Sequence, residues 1–483
     1  MPDAPNLIIQ LQRMGDLVLS FPLLVWLKAA EPDRPLWVLA EPAFFKPLMP
    51  LSPSVVFFPP EAADQLARTP LHRVINLSHR PEAARIASRM RADHKLGALS
   101  TGDATRIEGV WQLYRASLVH NNRHNLFHWA DLNALDIISP TAMRRTAWPS
   151  PRLPQLTRGG RVGLFVGASE AAKRPEPAFW GALARELILR GHKPVFLGGE
   201  SERPSGTAAA CAAGIPRSNL CGNFRLDELL RFLRELDLLI SPDTGPMHIS
   251  AWGGTLTLNL SMGPVNAWET APFPPGHFIL RPTASCVGCW RCTRNPESPP
   301  CREHFQPARI AFLAHRLLSG KPDPKEGGKA EQFPLIPGLE LMRTRRVSPL
   351  GLFDLEFLSG KLTENSPRNA RSALGHFWRQ WFLTRLNRHT QSQTPDLASA
   401  ACRLAEFHPR ALPLLHAHLP RIQAECALAL RRNTPLPEEF WRGTPPLLRP
   451  LTGYLQLLLE NGDYRRDVWK ETLEHLEHLA ALL

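Results

Sequence analysis

No stretch of about 18 or more uncharged apolar residues occurs in this chain, which leaves no candidate for a membrane-spanning helix. The N-terminus, MPDAPNLIIQLQRMGD, places no basic segment before a long apolar one, so no secretory leader is expected. Repeats of solenoid period and long low-complexity tracts are absent too, which excludes repeat arrays and compositionally disordered chains. Cysteine is scarce and unevenly placed. There are 8, four of them between 286 and 301, a distribution unlike a disulfide framework.

What is present fits a globular protein: 43% apolar and 21% charged residues in 483, enough for two or three domains. The 48 prolines predict many loops and short elements. The net charge of +13 favours an anionic partner: nucleic acid, a phosphorylated lipid surface or a nucleotide-bearing substrate. A merely solubilising surface would show the same excess.

Strand-like and helix-like segments alternate over the first 130 residues. NLIIQL (6–11), PLWVLA (35–40) and HRVINLS (72–78) read as strands. DLVLSFPLLVWLKAAEP (16–32) and the basic PEAARIASRMRADH read as helices. A proline-rich connection, AWPSPRLPQLTRGG (147–160), precedes a second series with strands RVGLFVG (161–167), KPVFLGG (193–199), DLLIS (237–241) and LTLNLS (256–261). Such alternation predicts βαβ units and parallel sheets, with ligands at the carboxyl ends of the strands. Beyond residue 323, KPDPKEGGKAEQFPLIPG reads as a linker, and 366–483 as helical with no convincing strand.

The stretch LDLLISPDTGPMHISAWGG (236–254) carries the chemistry. A strand ends in a short polar loop, and a helix begins at Pro246. Asp243 or Thr244 can cap that helix, and Pro246 suits its first position. A cap alone has no use for Gly245 and His248. A helix N-terminus at a sheet's carboxyl edge offers free N–H groups and a positive dipole end, where a diphosphate would sit.

SPDTGPMHISAWGGTLTLNLSMGP resembles the donor-site segment of glycosyltransferase family 9, the bacterial heptosyltransferases, although Val265 stands where the family has threonine. Three further segments follow in the family's order. IIQLQRMGDLVLSFPLL (8–24) is similar to its N-terminal strand, Gly-Asp turn and helix. LFVGASEAAKRPEPAFWGAL (164–183) is similar to its Lys-Arg segment, with Val166 departing from the pattern and no tryptophan after Arg174. KPVFLGGESE (193–202) resembles its Gly-Gly strand end. The resemblance covers roughly residues 6 to 320.

It implies an α/β protein of GT-B type: two Rossmann-like domains facing a central cleft, plus an α-helical C-terminal extension. The expected boundaries are 1–150 for the acceptor domain and 151–322 for the nucleotide-sugar domain with its Cys-rich loop (286–301). A linker (323–365) and the helical extension (366–483), to which no role is assigned, complete the chain. The implied reaction is inverting transfer of a heptose from ADP-heptose to a lipopolysaccharide-core or similar anionic glycan or glycolipid. It would take place in the cytoplasm, with peripheral contact to the inner membrane through basic patches.

Asp16 then reads as the general base that accepts the acceptor hydroxyl proton, against a plain helix-capping role. Lys173, with Ser169 and Arg174, reads as the group that stabilises the departing diphosphate, against a solvated surface lysine. Asp243, Thr244, Gly245, Pro246 and His248 would hold the donor. Glu200 or Glu202 would contact its nucleoside, or be exposed loop acids. On the acceptor side His79, Arg80 and His128 are candidates, with Arg85, Arg89, Arg91 and Lys95 as a basic face, and His128 equally readable as part of a core turn. No cofactor is expected in catalysis. Cys286, Cys289, Cys292 and Cys301 read either as a closed structural zinc or iron site or as reduced thiols of a surface loop. Two rival readings stay open. One is a family 9 transferase with another nucleotide sugar or a protein acceptor. The other is a non-catalytic nucleotide- or nucleic-acid-binding scaffold, although the ordered donor motifs make nucleic acid a poor fit.

Overall fold

The structure, a computed structural model, describes residues 4–320 apart from 103, 169, 171–172, 263–264, 285, 290–291, 293 and 296–298, together with 336–347, 350–358, 367–386 and 396–483. Six strands build the first sheet: β1 (Asn6–Gln10), β2 (Leu36–Ala40), β3 (Val56–Phe58), β4 (Leu71–Asn76), β5 (Ala92–Thr101) and β6 (Ala104–Glu108). Their order is β3-β2-β1-β4-β5-β6, parallel except for the last pair. The central strand β1, NLIIQ, is buried along its whole length, as a strand covered on both faces must be.

Seven strands form the second sheet: β7 (Arg161–Phe165), β8 (Lys193–Leu197), β9 (Leu238–Pro242), β10 (Thr257–Leu260), β11 (Phe278–Pro282), β12 (Leu339–Val347) and β13 (Leu352–Phe357). The order is β13-β12-β11-β10-β9-β7-β8, with β7 to β11 parallel and β12 and β13 antiparallel. Both parallel portions follow Rossmann-like winding. The direction of winding reverses between β1 and β4 in one sheet and between β7 and β9 in the other. Crevices for ligands open at such reversal points. The GT-B expectation is met by these two sheets and their shared cleft.

The helices needed below are α1 (Met14–Ala30), α2 (Val110–Ser117), α3 (Gly245–Trp252), α4 (Ala267–Thr270), α5 (Pro367–Leu386), α6 (Arg449–Asn461) and α7 (Arg466–Leu482). α1 is apolar almost all round, and its residues Leu17 to Leu24 are buried because it lies between the two domains. Among the described residues, no helix is long and apolar enough to cross a membrane.

Three expectations change. The basic helix expected over 81–94 ends at Arg89, and the chain turns at once into β5 and a hairpin, with Gly102 at φ 81° in its turn. The segment expected as linker, 323–365, holds β12 and β13, which extend the second sheet. Directly paired Arg343–Glu356 and Arg345–Asp354 ion pairs fasten that hairpin. Finally, the helical extension is not separate. Tyr114 of α2 packs on Phe382 of α5, ring centroids 4.4 Å apart, and one apolar cluster runs through the first domain, the inner face of the second and the extension.

The extension also covers an edge strand. Asn461, the last residue of α6, accepts from the Ile107 N–H at 2.7 Å and donates to the Ile107 C=O at 3.0 Å, so one amide side chain completes the β6 ladder. Replacing Asn461 with Ala strands both partly buried backbone groups. The expected cost is about 1–3 kcal/mol, read as a lower urea midpoint at unchanged m.

Candidate active site

The two reversal points face each other across one cavity of about 500 Å3. From the first domain come Asp16, after β1, and His79 and Arg80, after β4; from the second come Lys173, after β7, and Asp243 to Gly245 with His248, after β9. The N-terminal ends of α1 and α3 meet there with almost nothing between them. A Cβ built on Gly15 would stand 3.3 Å from the Gly245 Cα and 3.3 Å from the His248 ring. One on Gly245 would meet the end of the Met14 side chain at 2.9 Å. Glycine at both positions lets two helix N-termini, each carrying partial positive charge, line the same space.

Asp16 occupies the third position of α1, and its Oδ2 accepts from the Arg13 N–H at 3.2 Å. The capping role and a place in the cavity therefore coexist in one carboxylate. Burial raises its pKa, against the opposing pull of Arg115 and of Arg13, while Asp243 across the cavity adds to the rise. A carboxylate so shifted is a stronger base than an exposed aspartate.

Lys173 is nearly buried. Its Nζ stands 3.1 Å from Asp243 Oδ2 and 3.5 Å from Glu170 Oε1. Burial disfavours its charge, but the two carboxylates outweigh that and the ammonium titrates above its usual range. His248 lies one turn into α3, with Nε2 3.8 Å from Asp243 Oδ1. Burial lowers its pKa to about 4 despite Asp243, so it is a neutral imidazole at physiological pH. Thr244 sits at the N-cap of α3, but its hydroxyl bonds Ser241 Oγ at 3.1 Å and no side chain caps the helix. The first-turn N–H groups are thereby left for a ligand.

The other expected donor contacts lie elsewhere. Pro246 occupies the first turn of α3 and is buried, and Arg174 donates to the Ala168 C=O at 2.6 Å. Glu200 is salt-bridged to Arg203 at 2.8 Å on the surface, and Glu202 accepts the Gly199 N–H at 2.9 Å beside Gly167. None of these four lines the cavity. Ser169 lies outside the described residues. On the acceptor side His128 is corrected. It is fully buried, donates from Nε2 to the Ala271 C=O at 2.9 Å, accepts the Ala130 N–H at Nδ1, and packs on Phe273 and Phe353. It belongs to the core because a neutral imidazole satisfies both bonds there. Its neighbour Trp129 reaches the cavity instead. Arg85, Arg89, Arg91 and Lys95 stand along the helix and β5, away from the cavity lining.

Two residues have no signal in the sequence. Arg115, fully buried on α2, donates to the Leu77 C=O and stands 3.1 Å from His79 Nε2, with Trp129 stacked 5.6 Å from its guanidinium. Arg115 and then burial depress His79 to about 3. An arginine in a short amphipathic helix reads as solvated, and only tertiary packing turns it inward. Glu269 of α4 also faces the cavity. Its two oxygens accept from Asn122 at 2.8 Å and Asn125 at 3.0 Å. Burial lifts its pKa to about 8, so it carries a proton at neutral pH and can donate to a bound group.

The four clustered cysteines lie close enough that neighbouring thiols, after burial, help raise Cys289 and Cys301. No group of three or more His, Cys, Asp or Glu side chains among the described residues stands in metal-binding geometry. The zinc or iron expectation thus finds no assembled ligand set in this arrangement.

Arg115 makes a direct prediction. In Arg115→Met the first cause of the His79 shift is gone, so NMR titration of His79 should find its pKa moved up from about 3 towards the ordinary histidine range.

Residues 63–286 match the model of glycosyltransferase family 9 (heptosyltransferase). Lipooligosaccharide heptosyltransferase 2 of Campylobacter jejuni is 25% identical over 172 residues, 34% of this chain and 54% of that protein. The chain thus spans about half the length of that curated relative. Among solved structures, the E. coli ADP-heptose LPS heptosyltransferase II superposes with a TM-score of 0.49 at 18% identity, covering 65% of this chain and 98% of that one. A family 9 glycosyltransferase of Veillonella parvula gives 0.44 at 18%, covering 56% and 84%. Over residues 63–286, a little under half of its length, the chain is similar to glycosyltransferase family 9.

Proposed function

We propose that this protein is an inverting glycosyltransferase that moves a heptose from ADP-heptose to an anionic glycan or glycolipid of the lipopolysaccharide-core type. One observation carries the reading: a half-buried carboxylate of raised pKa and an ammonium beside an uncapped helix N-terminus face one cavity from opposite domains. A base for the acceptor and a cationic seat for a diphosphate are what the transfer needs.

In this scheme the nucleotide sugar lies along the carboxyl edge of the second sheet, its diphosphate at the start of α3. The acceptor enters over β1 and β4. Asp16 takes the hydroxyl proton as the acceptor oxygen attacks the anomeric carbon, and the bond from that carbon to the diphosphate oxygen breaks. Negative charge then grows on the leaving diphosphate, where Lys173 and the α3 N–H groups stabilise it. Asp243 holds Lys173 in place through the 3.1 Å contact. Glu269, carrying its proton, donates to a sugar hydroxyl, and the neutral His248 can do the same. Arg80 and the +13 net charge draw in an anionic acceptor, and contact with the inner membrane's cytoplasmic face follows from the same charge.

Calorimetric titration with ADP, UDP and GDP tests the donor. ADP should bind selectively, and Asp243→Ala should lose that binding. Selectivity for UDP or GDP would keep the cleft and replace the donor, whereas no nucleotide binding at all would sink the transferase reading.

The base is tested separately. Asp16→Asn should lower kcat by about 10²–10⁴ with little change in nucleotide affinity. Protonation silences a base, so the wild-type rate falls as pH drops through the Asp16 pKa. Because that pKa is raised, the acid limb of kcat/KM should lie above the usual aspartate range and vanish in Asp16→Asn.

A further inference from the structure

A second cavity, of about 440 Å3, lies behind the first, where α5 of the extension closes against the second domain and the 123–126 segment. Its lining combines two chemistries. Arg281, Arg371 and Arg123 supply three guanidinium groups, and among the described residues Glu340 is the only carboxylate lining the cavity. Leu126, Trp268, Phe357 and Leu374 supply an apolar wall.

The cations are not spent on one another's partners. Arg281 is 3% exposed; its Nε pairs with Glu340, its guanidinium lies over the Trp268 ring at 4.6 Å, and its Nη1 has no hydrogen-bond partner among the described residues. Arg371 donates to two backbone carbonyls, Ala284 at 3.3 Å and Val287 at 3.0 Å, which hold it without neutralising it. Arg123 is exposed. Glu340 offsets the buried Arg281, and the half-buried Arg371, held only by backbone carbonyls, with the exposed Arg123 at the rim, leaves positive charge beside a space walled in leucine and aromatic rings. A partly desolvated guanidinium with no carboxylate of its own calls for an anion, and the wall calls for an apolar body attached to it.

We propose that this cavity binds a small amphipathic anion: a phosphate or carboxylate head among Arg281, Arg371 and Arg123, and an apolar or aromatic body against Leu126, Phe357 and Leu374. The site is separate from the cleft. α4 stands between them, with Trp268 on this cavity and Glu269 on the other. Asn125 lines this cavity and also donates to Glu269, so the two spaces share a wall with a hydrogen bond running through it.

Phenyl phosphate is the probe, with inorganic phosphate as its head alone, both followed by calorimetry on the full chain. Wild-type protein should bind phenyl phosphate at least about tenfold more tightly than inorganic phosphate, because only the former fills the apolar wall. Ser372→Glu places a like charge on a half-buried lining position of α5 and should weaken phenyl phosphate by about tenfold or more. Lys173→Met alters only the cleft and should leave it within about twofold. Thr283→Glu, at an exposed lining position, should repeat the loss and decides the matter if circular dichroism shows Ser372→Glu misfolded. Absence of binding, equal binding to both glutamate variants and wild type, or loss in Lys173→Met, which would put the anion in the cleft, overturns the proposal.

Discussion

The backbone contact between Gly15 and Gly245 is the constraint on which the rest depends. It brings the N-termini of two helices, from two domains and two sheets, to van der Waals distance. Any side chain at Gly15 would push at the Gly245 backbone and the His248 ring together. The cleft therefore has a floor of fixed depth, and the carboxylates beside it, Asp16 on α1 and Asp243 before α3, sit where partial positive charge favours them. Burial raises the Asp16 pKa nonetheless, with Arg115 and the Arg13 N–H tempering the desolvation without cancelling it. Charge placement in the cavity is a consequence of the missing side chains.

A second dependence runs through the extension. Its aromatic residues, Trp378, Trp381 and Phe382 on α5 and Tyr454 on α6, are buried against each other and against Tyr114 of the first domain. α2, which carries Tyr114, also carries Arg115, and Arg115 sets the electrostatics of His79 beside the cleft. Packing of the extension and ionisation at the site are thus two ends of one short helix. Arg379 of α5 reaches further, donating to the Phe353 C=O of β13.

Seven of the parallel strands were legible because they are continuous apolar runs bounded by glycine and proline, whereas β3 and β11 were not read as strands. The expected strands at 161–167, 193–199, 237–241 and 256–261 lie within two residues of β7, β8, β9 and β10 at either end. The cleft residues Asp16, Lys173, Asp243 and His248 were legible through the resemblance of their segments to family 9 motifs, since residue type alone fitted a cap for Asp16 and a surface position for Lys173 equally well. β5 was not, since ADHKLGALST continues a basic helical pattern and only pairing with β4 makes it a strand. β12 and β13 were hidden by proline- and lysine-rich neighbours, although their alternating arginines and acids are cross-strand partners. Inward-turned Arg115, core-bound His128 and proton-bearing Glu269 depend on neighbours more than a dozen residues away, which no periodicity encodes.

The four-residue helix α4 assigns adjacent side chains to opposite spaces, Trp268 to one and Glu269 to the other. Successive positions on a helix are turned by about 100°. Inserting one residue before Ala267 would bring the indole where the carboxyl stood, and deleting one would bring the carboxyl where the indole stood, so either change alters both cavities. Substitutions in α4 can be tried one at a time by drift, but a change of length there alters both spaces in a single event.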